Sequence, residues 1–285
     1  MQYKIGDVAG ILGISTDLIR YYEERGIVKP KKDANNNYRY YDAWDINFLI
    51  DCIWYKNFGF GIDEIAMMTT AESRDMLIGR LTEKGDVLLE SLRRQGMLLE
   101  RIRGHAESVA RIKDYIGRCD LRNCKEHFYY LNRFNRAYDN SPRLLALNKE
   151  WGGFMPFTKR YFEVKKDDLL GKGVDYAWGF SIGIKYVEAF NIPIAAPVVH
   201  TRPHLCVHSA FKSSGKEAFT ARHLDFMRDF ALKNRLEVSG RAFGNLICSV
   251  LDEEKGAITG YFEAWLPVEN PAESGSAEST AARAE

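Results

Sequence analysis

The most constraining feature of the sequence is residues 74–118, a stretch without proline that carries an apolar residue at a regular interval. Alternating steps of three and four residues from Ile78 to Ile116 pass through 12 positions, and nine of them are apolar. A seam that repeats every 3.5 residues over about five heptads indicates a coiled coil. At about 1.5 Å per residue, this helix is too long to bury its seam on a small domain. We therefore expect it to pair with a helix of a second chain or, as the alternative, to join an intramolecular bundle.

Length and composition indicate that this helix belongs to a globular protein of more than one domain. The chain has 285 residues, of which 46% are hydrophobic and 28% charged, which suits about two domains with real cores. It contains no apolar run of the roughly 18 residues that cross a bilayer, and its start lacks the pattern of a signal peptide. Its five cysteines are few and dispersed, which is typical of free thiols in a reducing compartment. We expect a cytoplasmic protein without a membrane partner.

Positive charge is concentrated in one segment near the start of the chain. The whole chain has a net charge of +1, which gives no sign of a nucleic-acid partner. Residues 1–70 hold eight Lys and Arg, and six of these eight lie between Arg20 and Arg39. A local cluster of this kind is what contacts to phosphates require.

The same segment has the pattern of two short helices and a wing. Ile5, Val8 and Leu12 fall on one face of a first helix, and a second helix is predicted from Thr16 to about Arg25. Gly13 between them permits the tight turn of a helix-turn-helix. Two β-capable pieces joined by an Asn-rich turn follow at residues 27–41, which predicts a wing. A further helix pair is predicted at 42–57 and 62–68.

Three short motifs succeed one another in this region. They are Arg20-Tyr21-Tyr22-Glu23, Gly26-Ile27-Val28-Lys29-Pro30 and Tyr38-Arg39-Tyr40. In this order, between a helix-turn-helix and a long helix, they resemble the MerR family of transcription regulators over residues 2–118. Leu18 stands where Thr is common in the family, and Asn37 stands where Gly is common. Asn also tolerates the left-handed conformation, so the turn of the wing is retained.

The resemblance implies that the second helix enters the major groove of double-stranded promoter DNA. Thr16, Arg20 and Tyr21 are then candidates for contacts to base edges and phosphates. The candidates for contacts to the DNA backbone are Lys29, Tyr38, Arg39 and Lys56. The resemblance also implies a homodimer through an antiparallel coiled coil, RNA polymerase as a partner, and activation by bending and untwisting the DNA when an effector binds. Tyr22 is expected in the core beneath the helix.

The C-terminal half has the pattern of an α+β domain. Strands are predicted at 176–186, 197–201, 204–211, 243–251 and 257–268, with a helix at 217–234. On the final strand Tyr261, Glu263 and Trp265 share one face, while Phe262 and its neighbours in the alternation point to the other. A carboxylate between two aromatic rings suits a lipophilic cation through charge neutralisation and cation–π contact, and a solvated sheet face is the alternative.

Two segments of this half resemble a GyrI-like effector-binding domain over roughly residues 160–268. They are the run from Asp225 to Gly240 and the run from Gly260 to Val268. In multidrug-sensing MerR relatives with such a domain, an acidic residue on the last strand faces drug-like cations, and Glu263 occupies the corresponding position. The aromatic residues that the resemblance makes candidates for the pocket walls are Trp178, Phe180, Tyr186, Tyr261 and Trp265.

Cysteine and histidine residues occur together in two segments of the C-terminal half. Cys119 and Cys124, with His127 nearby, lie where metal sensors of this family carry ligands, but their spacing matches no zinc or iron–sulfur pattern. His204, Cys206 and His208 alternate along one strand, which places the outer pair roughly 13 Å apart, awkward for one ion. We therefore expect no metal and no cofactor.

The sequence predicts four regions: a winged helix-turn-helix at 1–73, a dimerisation helix at 74–118, a GyrI-like α+β domain at 119–268 and a disordered tail at 269–285. We expect a transcription activator without enzyme activity that distorts promoter DNA when it binds a small lipophilic cation. Two alternatives stay open. One is a thiol- or metal-responsive regulator that uses Cys119 and Cys124, and the other is a GyrI-like domain that hydrolyses its ligand with Glu263 as the base.

Overall fold

The computed structural model describes residues 2–33, 38–70, 74–172, 175–214, 219–252 and 256–270. The chain divides into two compact units, Met1–Arg94 and Gln95–Glu285. Asn37 in the wing turn, and residues 271–285 of the predicted tail, lie outside the described residues. Among the described residues, no helix combines the length and the apolar character that crossing a membrane requires.

The first unit is built from short helices and a small antiparallel sheet with the strand order β1-β3-β2. Its elements before the long helix are β1 (Tyr3–Lys4), α1 (Ile5–Leu12), α2 (Thr16–Glu24), β2 (Lys31–Lys32), β3 (Arg39–Tyr41), α3 (Ala43–Asn57) and α4 (Ile62–Thr70). Strands β2 and β3 form the predicted wing, in which Lys31 pairs with Tyr40 and Lys32 with Arg39.

Local sequence explains the turn between α1 and α2. Gly13 has a φ of 64°, a left-handed conformation that glycine adopts without steric cost, and its N–H donates to the carbonyl of Ala9. Ser15 then caps α2, because its hydroxyl accepts a hydrogen bond of 3.2 Å from the Leu18 amide. The helix-turn-helix predicted from the sequence is therefore confirmed, and α2 ends one residue earlier than expected.

One buried apolar cluster holds the first unit together. Tyr22 is completely buried in it, as predicted, and so is Ile19, which the sequence reading did not single out. Other fully buried members are Val8, Tyr41, Leu49, Cys52 and Ile65. Because these residues come from α1, α2, α3, α4 and the wing, one core fixes the position of every element around α2.

The predicted long helix is present as α5 (Arg74–Tyr115), which has 42 residues and a length of about 63 Å. It ends three residues before the predicted end. Seven apolar seam residues are each at least 36% exposed, and they are Ile78, Leu81, Leu88, Leu92, Leu99, Ile102 and Val109. A single chain therefore leaves most of this seam uncovered.

The second unit contains a ten-stranded antiparallel sheet. Its elements are β4 (Asp120–Asn123), β5 (His127–Phe134), β6 (Ala137–Tyr138), α6 (Pro142–Gly152), β7 (Lys159–Val164), β8 (Ala177–Gly183), α7 (Ile184–Ala189), β9 (Val199–Thr201), β10 (Leu205–Ser214), α8 (Asp225–Lys233), β11 (Glu237–Val238), β12 (Ala242–Asp252) and β13 (Ala257–Glu269). The order is β4-β10-β13-β12-β7-β8-β5-β6, with β9 on β5 and β11 on β13.

Two similar halves make up this sheet. One consists of β5, α6, β7 and β8, and the other of β10, α8, β12 and β13. They meet where β7 pairs with β12, so that Glu163 lies opposite Phe243 and Tyr161 opposite Asn245. Strand, helix and hairpin therefore occur twice, with the strand order reversed about the central pair.

The two faces of the sheet differ in what covers them. Helix α8 packs on one face over a core that includes Phe162, Trp178 and Phe262, and α6 and α7 pack on the same face over a second core around Tyr130 and Ile182. The opposite face carries a smaller cluster, whose buried members are Cys124, Tyr129, Tyr161, Cys206 and Phe243. Because side chains alternate along a strand, neighbouring residues such as Tyr161 and Phe162 belong to different faces.

Two details of the secondary structure differ from expectation. The strand predicted over 176–186 ends at Gly183, and α7 begins at Ile184, where Gly183 with extended dihedral angles caps the helix. The helix predicted at 217–234 is α8, preceded by a 3₁₀ turn at Ala221–Leu224. Strands β5 and β7 and helix α6 were not predicted.

Candidate functional site

The exposed face of α2 carries the residues proposed to contact DNA. Thr16 is the first residue of the helix and is half-buried, while Arg20 and Tyr21 are exposed. The Arg20 guanidinium lies 3.1 Å from Asp17. The Arg25 side chain donates a 2.9 Å hydrogen bond to the Tyr21 hydroxyl and stacks over its ring at 5.1 Å. Arg20, Tyr21 and Arg25 thus form one donor-rich surface.

Three of the residues predicted to contact the DNA backbone are exposed. They are Lys29, which precedes the wing, Tyr38 in the wing, and Lys56 near the end of α3. The Lys4 ammonium lies 5.9 Å from the centre of the Tyr38 ring. Lys29, Tyr38 and Lys56 are therefore accessible to a phosphate backbone.

Arg39, the fourth of these predicted residues, forms an ion pair with α2. Its Nε donates to both carboxylate oxygens of Glu23 on α2, at 2.8 and 2.7 Å. The Glu23 side chain is 16% exposed and the Arg39 side chain 41%. This hydrogen bond and the charge of Glu23 raise the pKa of the Arg39 guanidinium. In the structure Arg39 joins the wing to α2, a role that differs from the predicted contact to DNA.

In the second unit, the final strand has the predicted alternation. Phe262, Ala264 and Leu266 are buried against α8, while Glu263 lies on the opposite face between Tyr261 and Trp265, and all three are half-buried. Glu263 accepts a 3.0 Å hydrogen bond from Nε2 of His208. The other nitrogen of His208 lies 3.2 Å from Asp120, and its ring packs on Trp265 at 4.3 Å. Glu263 is thus held by a buried imidazole.

Opposing influences act on the pKa of Glu263. Burial raises this pKa. The hydrogen bond from His208 and the charges of Lys159 and Lys125 lower it by more than burial raises it, so the pKa lies below its ordinary value. Burial in turn lowers the pKa of Lys159. Glu263 is therefore a carboxylate with basic neighbours.

Three of the predicted pocket walls lie elsewhere. Trp178 is buried on the helix-covered face, where its ring lies 6.0 Å from Phe262, and Phe180 belongs to the same face of β8 because it is two residues further along. Tyr186 lies on α7, and its ring contacts Phe157 at 4.9 Å. The structure thus brings together Tyr261, Glu263 and Trp265 but separates them from Trp178, Phe180 and Tyr186.

The face opposite the helices contains a cavity of about 620 Å³. Its lining includes aromatic rings from strands β5, β7 and β12, namely Tyr129, Tyr161 and Phe243. Tyr129 and Tyr161 stack with their ring centres 4.4 Å apart, and Tyr161 stacks on Phe243 at 6.0 Å. The carboxylates of Glu163 and Glu269 also line it, but Glu263 does not.

Glu163 is the buried carboxylate of this cavity, with a side chain only 4% exposed. The Tyr129 hydroxyl donates a 2.7 Å hydrogen bond to its Oε2, and the Arg241 guanidinium donates one of 2.8 Å to its Oε1. Burial, followed by the charge of Glu163, raises the pKa of Tyr129, so the phenol stays protonated and remains a donor. The Glu163 carboxylate is thus a buried negative charge beside aromatic rings, and its counter-ion is Arg241, whose side chain is 59% exposed.

Sequence reasoning missed Glu163, although a signal was present. In Lys159–Val164, Tyr161 and Glu163 alternate with Phe162 and Val164, which is the same pattern that identified Glu263. The segment is only six residues long, and its charged ends conceal the strand.

The structure does not pair Cys119 with Cys124, the two cysteines of the thiol- or metal-responsive alternative. Cys119 contacts Ser209, away from Cys124. Cys124 instead lies with His204 and Cys206, and one ligand atom of each of these three residues lies within 4.8 Å of the other two. The sequence pattern groups His204 and Cys206 with His208, but in the structure His208 is engaged with Glu263.

Comparison with known proteins concerns mainly the first unit. The family model for the MerR HTH family regulatory protein matches residues 3–72. The transcriptional activator TipA of Streptomyces coelicolor is 28% identical over 75 residues, which are 26% of this chain and 30% of TipA. The regulator CueR of Escherichia coli O6:H1 is 38% identical over 61 residues, 21% of this chain and 45% of CueR. The chain thus spans less than half the length of these curated relatives.

Among solved structures, the EcmrR–DNA complex in EcmrR-RPo aligns with 94% of this chain and 100% of that chain. The identity is 16% and the TM-score 0.37, a value that does not establish a common fold. Together, the family match and the observed α1–α2 turn establish that residues 3–72 contain a helix-turn-helix of the MerR type.

Proposed function

We propose that this protein is a DNA-binding transcription activator of the MerR type, which distorts promoter DNA for RNA polymerase when its second unit binds a small lipophilic cation. The proposal divides the chain into a DNA-binding domain (1–73), a dimerisation helix (74–118) and an effector-binding α+β domain (119–268), whose GyrI-like character rests on resemblance. Its principal support is the match of residues 3–72 to the family, together with an exposed, donor-rich α2.

The surface of α2 and the wing supports the DNA-binding part of the proposal. Arg20 and Tyr21 project from one exposed face of α2, and Lys29 and Tyr38 are accessible beside it. A helix presented in this way suits the major groove, and flanking basic residues suit the phosphates on either side.

The seam of α5 supports a homodimer. Its seven exposed apolar residues follow the spacing of a coiled coil, and a second α5 covers them. The antiparallel arrangement of the two helices rests on the family resemblance. Two copies of the chain then present two copies of α2, which is what a palindromic operator requires.

The aromatic cavity supports a cationic effector. Its volume of about 620 Å³ lies within the range of roughly 300–1,000 Å³ found for small-molecule sites. Tyr129, Tyr161 and Phe243 line an aromatic wall, and Glu163 contributes a buried negative charge. Rings and a carboxylate together favour a delocalised, weakly hydrated cation over a neutral molecule of the same shape.

Arg20 allows a direct test of the DNA-binding part. Duplexes selected by the wild-type protein from a random pool are used in mobility-shift assays at fixed salt concentration. We expect Arg20→Ala to weaken binding by at least about 10-fold, since a good arginine contact contributes about 1–3 kcal/mol. Arg80→Ala is the matched control, because Arg80 is also exposed and lies 3.4 Å from an acidic residue three positions away. Equal affinities of the two variants would contradict the assignment of α2.

The effector part is tested by calorimetry with tetraphenylphosphonium, a lipophilic cation, and triphenylphosphine oxide, a neutral molecule of similar shape. We expect the cation to bind more tightly, and we expect Glu163→Gln to remove most of that preference. Glu188→Gln is the control, because Glu188 is an exposed carboxylate on α7. If the Glu163→Gln variant keeps the full preference for the cation, Glu163 is not the counter-charge. Glu263→Gln in the same assay measures the contribution of Glu263, the counter-charge that the sequence predicts.

A further inference from the structure

Cys124, His204 and Cys206 form a compact group of donor atoms from two chain segments. Cys124 follows β4, while His204 immediately precedes β10 and Cys206 is the second residue of that strand. One ligand atom of each residue lies within 4.8 Å of those of the other two. The backbone holds this arrangement, because the Cys124 amide donates a 3.0 Å hydrogen bond to the carbonyl of His204. The three side chains therefore meet without any rearrangement of the sheet.

The distances suit a tetrahedral ion. Zinc binds thiolate sulfur at about 2.3 Å and imidazole nitrogen at about 2.0–2.1 Å, so a sulfur and a nitrogen on one ion lie about 3.5 Å apart. The Sγ atom of Cys124 lies 3.4 Å from Nδ1 and 4.0 Å from Nε2 of His204. Either nitrogen is within about 0.5 Å of the required separation.

A second interaction orients the imidazole. Nδ1 of His204 lies 2.8 Å from the carbonyl oxygen of Arg202. An N–H at Nδ1 donates to that oxygen and leaves the lone pair of Nε2 for a metal, which is the usual arrangement for histidine ligands. The contacts of the two thiols with carbonyl oxygens are long, 3.7 Å for Cys124 to Arg202 and 3.6 Å for Cys206 to His204.

We propose that Cys124, His204 and Cys206 bind one Zn²⁺ ion, with a fourth coordination position taken by water. Two thiolates and one imidazole are a soft donor set that selects zinc over magnesium or calcium. Cys124 and Cys206 are almost completely buried, so the ion is held away from bulk solvent. His204 also lines the aromatic cavity, which gives the ion a path from the solvent to the site.

The proposed ion joins the end of β4 to the start of β10 at one margin of the cavity. Its role does not depend on DNA binding or on a cationic effector, because none of the three ligands belongs to α2 or contacts Glu163. Metal binding is therefore expected to raise the melting temperature of the second unit by linkage, since the unfolded chain does not hold the three donors together.

Co²⁺ is the probe for this site, because a thiolate bound to Co²⁺ in a tetrahedral site absorbs strongly in the near ultraviolet. The full chain is reduced, stripped of metal and titrated with Co²⁺, and Zn²⁺ is then added. We expect one equivalent of Co²⁺ per chain, a charge-transfer band from two thiolates, and complete displacement by Zn²⁺. Absence of the band after addition of excess Co²⁺ would overturn the proposal.

Cysteine variants locate the ion. Cys124→Ser and Cys206→Ser are each expected to weaken Co²⁺ binding by at least about 100-fold, because loss of an outer partner alone costs 10–100-fold. Cys248→Ser and Cys119→Ser are the matched controls, since both cysteines are partly buried in the second unit but lie outside the cluster. Undiminished binding by either cluster variant, or an equal loss in the controls, would show that the ion lies elsewhere.

A measurement on the wild-type chain keeps the test decisive if the cluster variants fail to fold. Thiols that react with a disulfide reagent under native conditions and after unfolding in urea are identified by mass spectrometry, with and without one equivalent of Zn²⁺. In mild urea, we expect the ion to slow the reaction of Cys124 and Cys206 by at least 10-fold and to leave that of Cys248 unchanged. Equal rates with and without Zn²⁺ at all three cysteines would refute the site.

Discussion

The ion pair between Arg39 and Glu23 gives a prediction that separates two roles for one arginine. The family resemblance assigns Arg39 to the DNA backbone, whereas the structure joins it to α2. Arg39→Gln and Glu23→Gln each remove the pair. Exposed pairs contribute about 0.2–1 kcal/mol, and breaking a buried pair costs about 3–5 kcal/mol. With exposures of 41% and 16%, we expect each substitution to lower the free energy of unfolding of the first unit by about 1 kcal/mol.

The salt dependence of DNA binding distinguishes the two roles. Each phosphate contact contributes about −0.9 to the slope of log affinity against log salt, so the loss of one contact per protomer lowers the magnitude for a dimer by about 1.8. We expect Arg39→Gln to weaken binding without a change of slope, because Arg39 is neutralised by Glu23. We expect Glu23→Gln to weaken binding in the same way, since the wing loses its link to α2. Lys29→Gln, which removes an exposed lysine, should lower the magnitude of the slope.

A different result is expected if Arg39 contacts the DNA backbone. If Arg39→Gln lowers the slope as much as Lys29→Gln does, and Glu23→Gln strengthens binding, then the ion pair opens on DNA and Arg39 contacts a phosphate. That result would refute the interpretation of Arg39 as a residue that positions the wing. Urea unfolding of both variants checks that neither has lost the fold.

Four further predictions follow from contacts in the structure. Arg241→Ala should tighten tetraphenylphosphonium binding by about 10-fold in calorimetry, because it removes the cation that competes for Glu163; weaker binding would contradict this. Gly244→Ala should lower the free energy of unfolding by about 3 kcal/mol in urea, since its Cβ would lie 2.0 Å from the carbonyl oxygen of Glu263. Because the pKa of Glu263 is lowered in the folded protein, this carboxylate takes up a proton in the unfolded state before it does so in the folded state as the pH falls. Ionised Glu263 therefore contributes to the free energy of unfolding above about pH 4.5, and this contribution is lost as the pH falls through the folded-state pKa. Melting temperatures from about pH 5 to about pH 3 should therefore fall more steeply for the wild type than for Glu263→Gln. Leu92→Glu should dissociate the proposed dimer in sedimentation experiments, because it places a charge in the exposed seam of α5.

The elements of the first unit were predictable because their signals are local. Gly13 makes the turn, Ser15 caps α2, and both lie within a few residues of the helices they delimit. The partner of Arg39 was not predictable in this way. Glu23 is 16 residues away, and its carboxylate reaches Arg39 only after the wing has folded onto α2.

In the second unit, the alternation of apolar residues correctly predicts which residues of β13 face the helices. It does not place Trp178 and Phe180 of β8 correctly, because they lie on the helix-covered face and not beside Glu263. A period of two shows which residues share a face, but it does not show which face carries the helices. Trp178 and Phe180 share a face as expected, yet that face is the one packed against helices. Tyr186 continues the same apolar alternation in the sequence, although the chain turns into α7 at Gly183.

The two carboxylates on the sheet face opposite the helices differ in how readily they can receive a cation. Glu163 and Glu263 lie on strands two places apart and two residues out of register, so about 12 Å separates their Cα atoms, and a compact monovalent cation reaches only one of them. His208 is 4% exposed and is also held by Asp120, so displacing it from Glu263 would strand a buried polar ring. Arg241 is 59% exposed and can return to water at little cost. Glu163 is therefore the carboxylate that a lipophilic cation can occupy without leaving a buried partner unpaired.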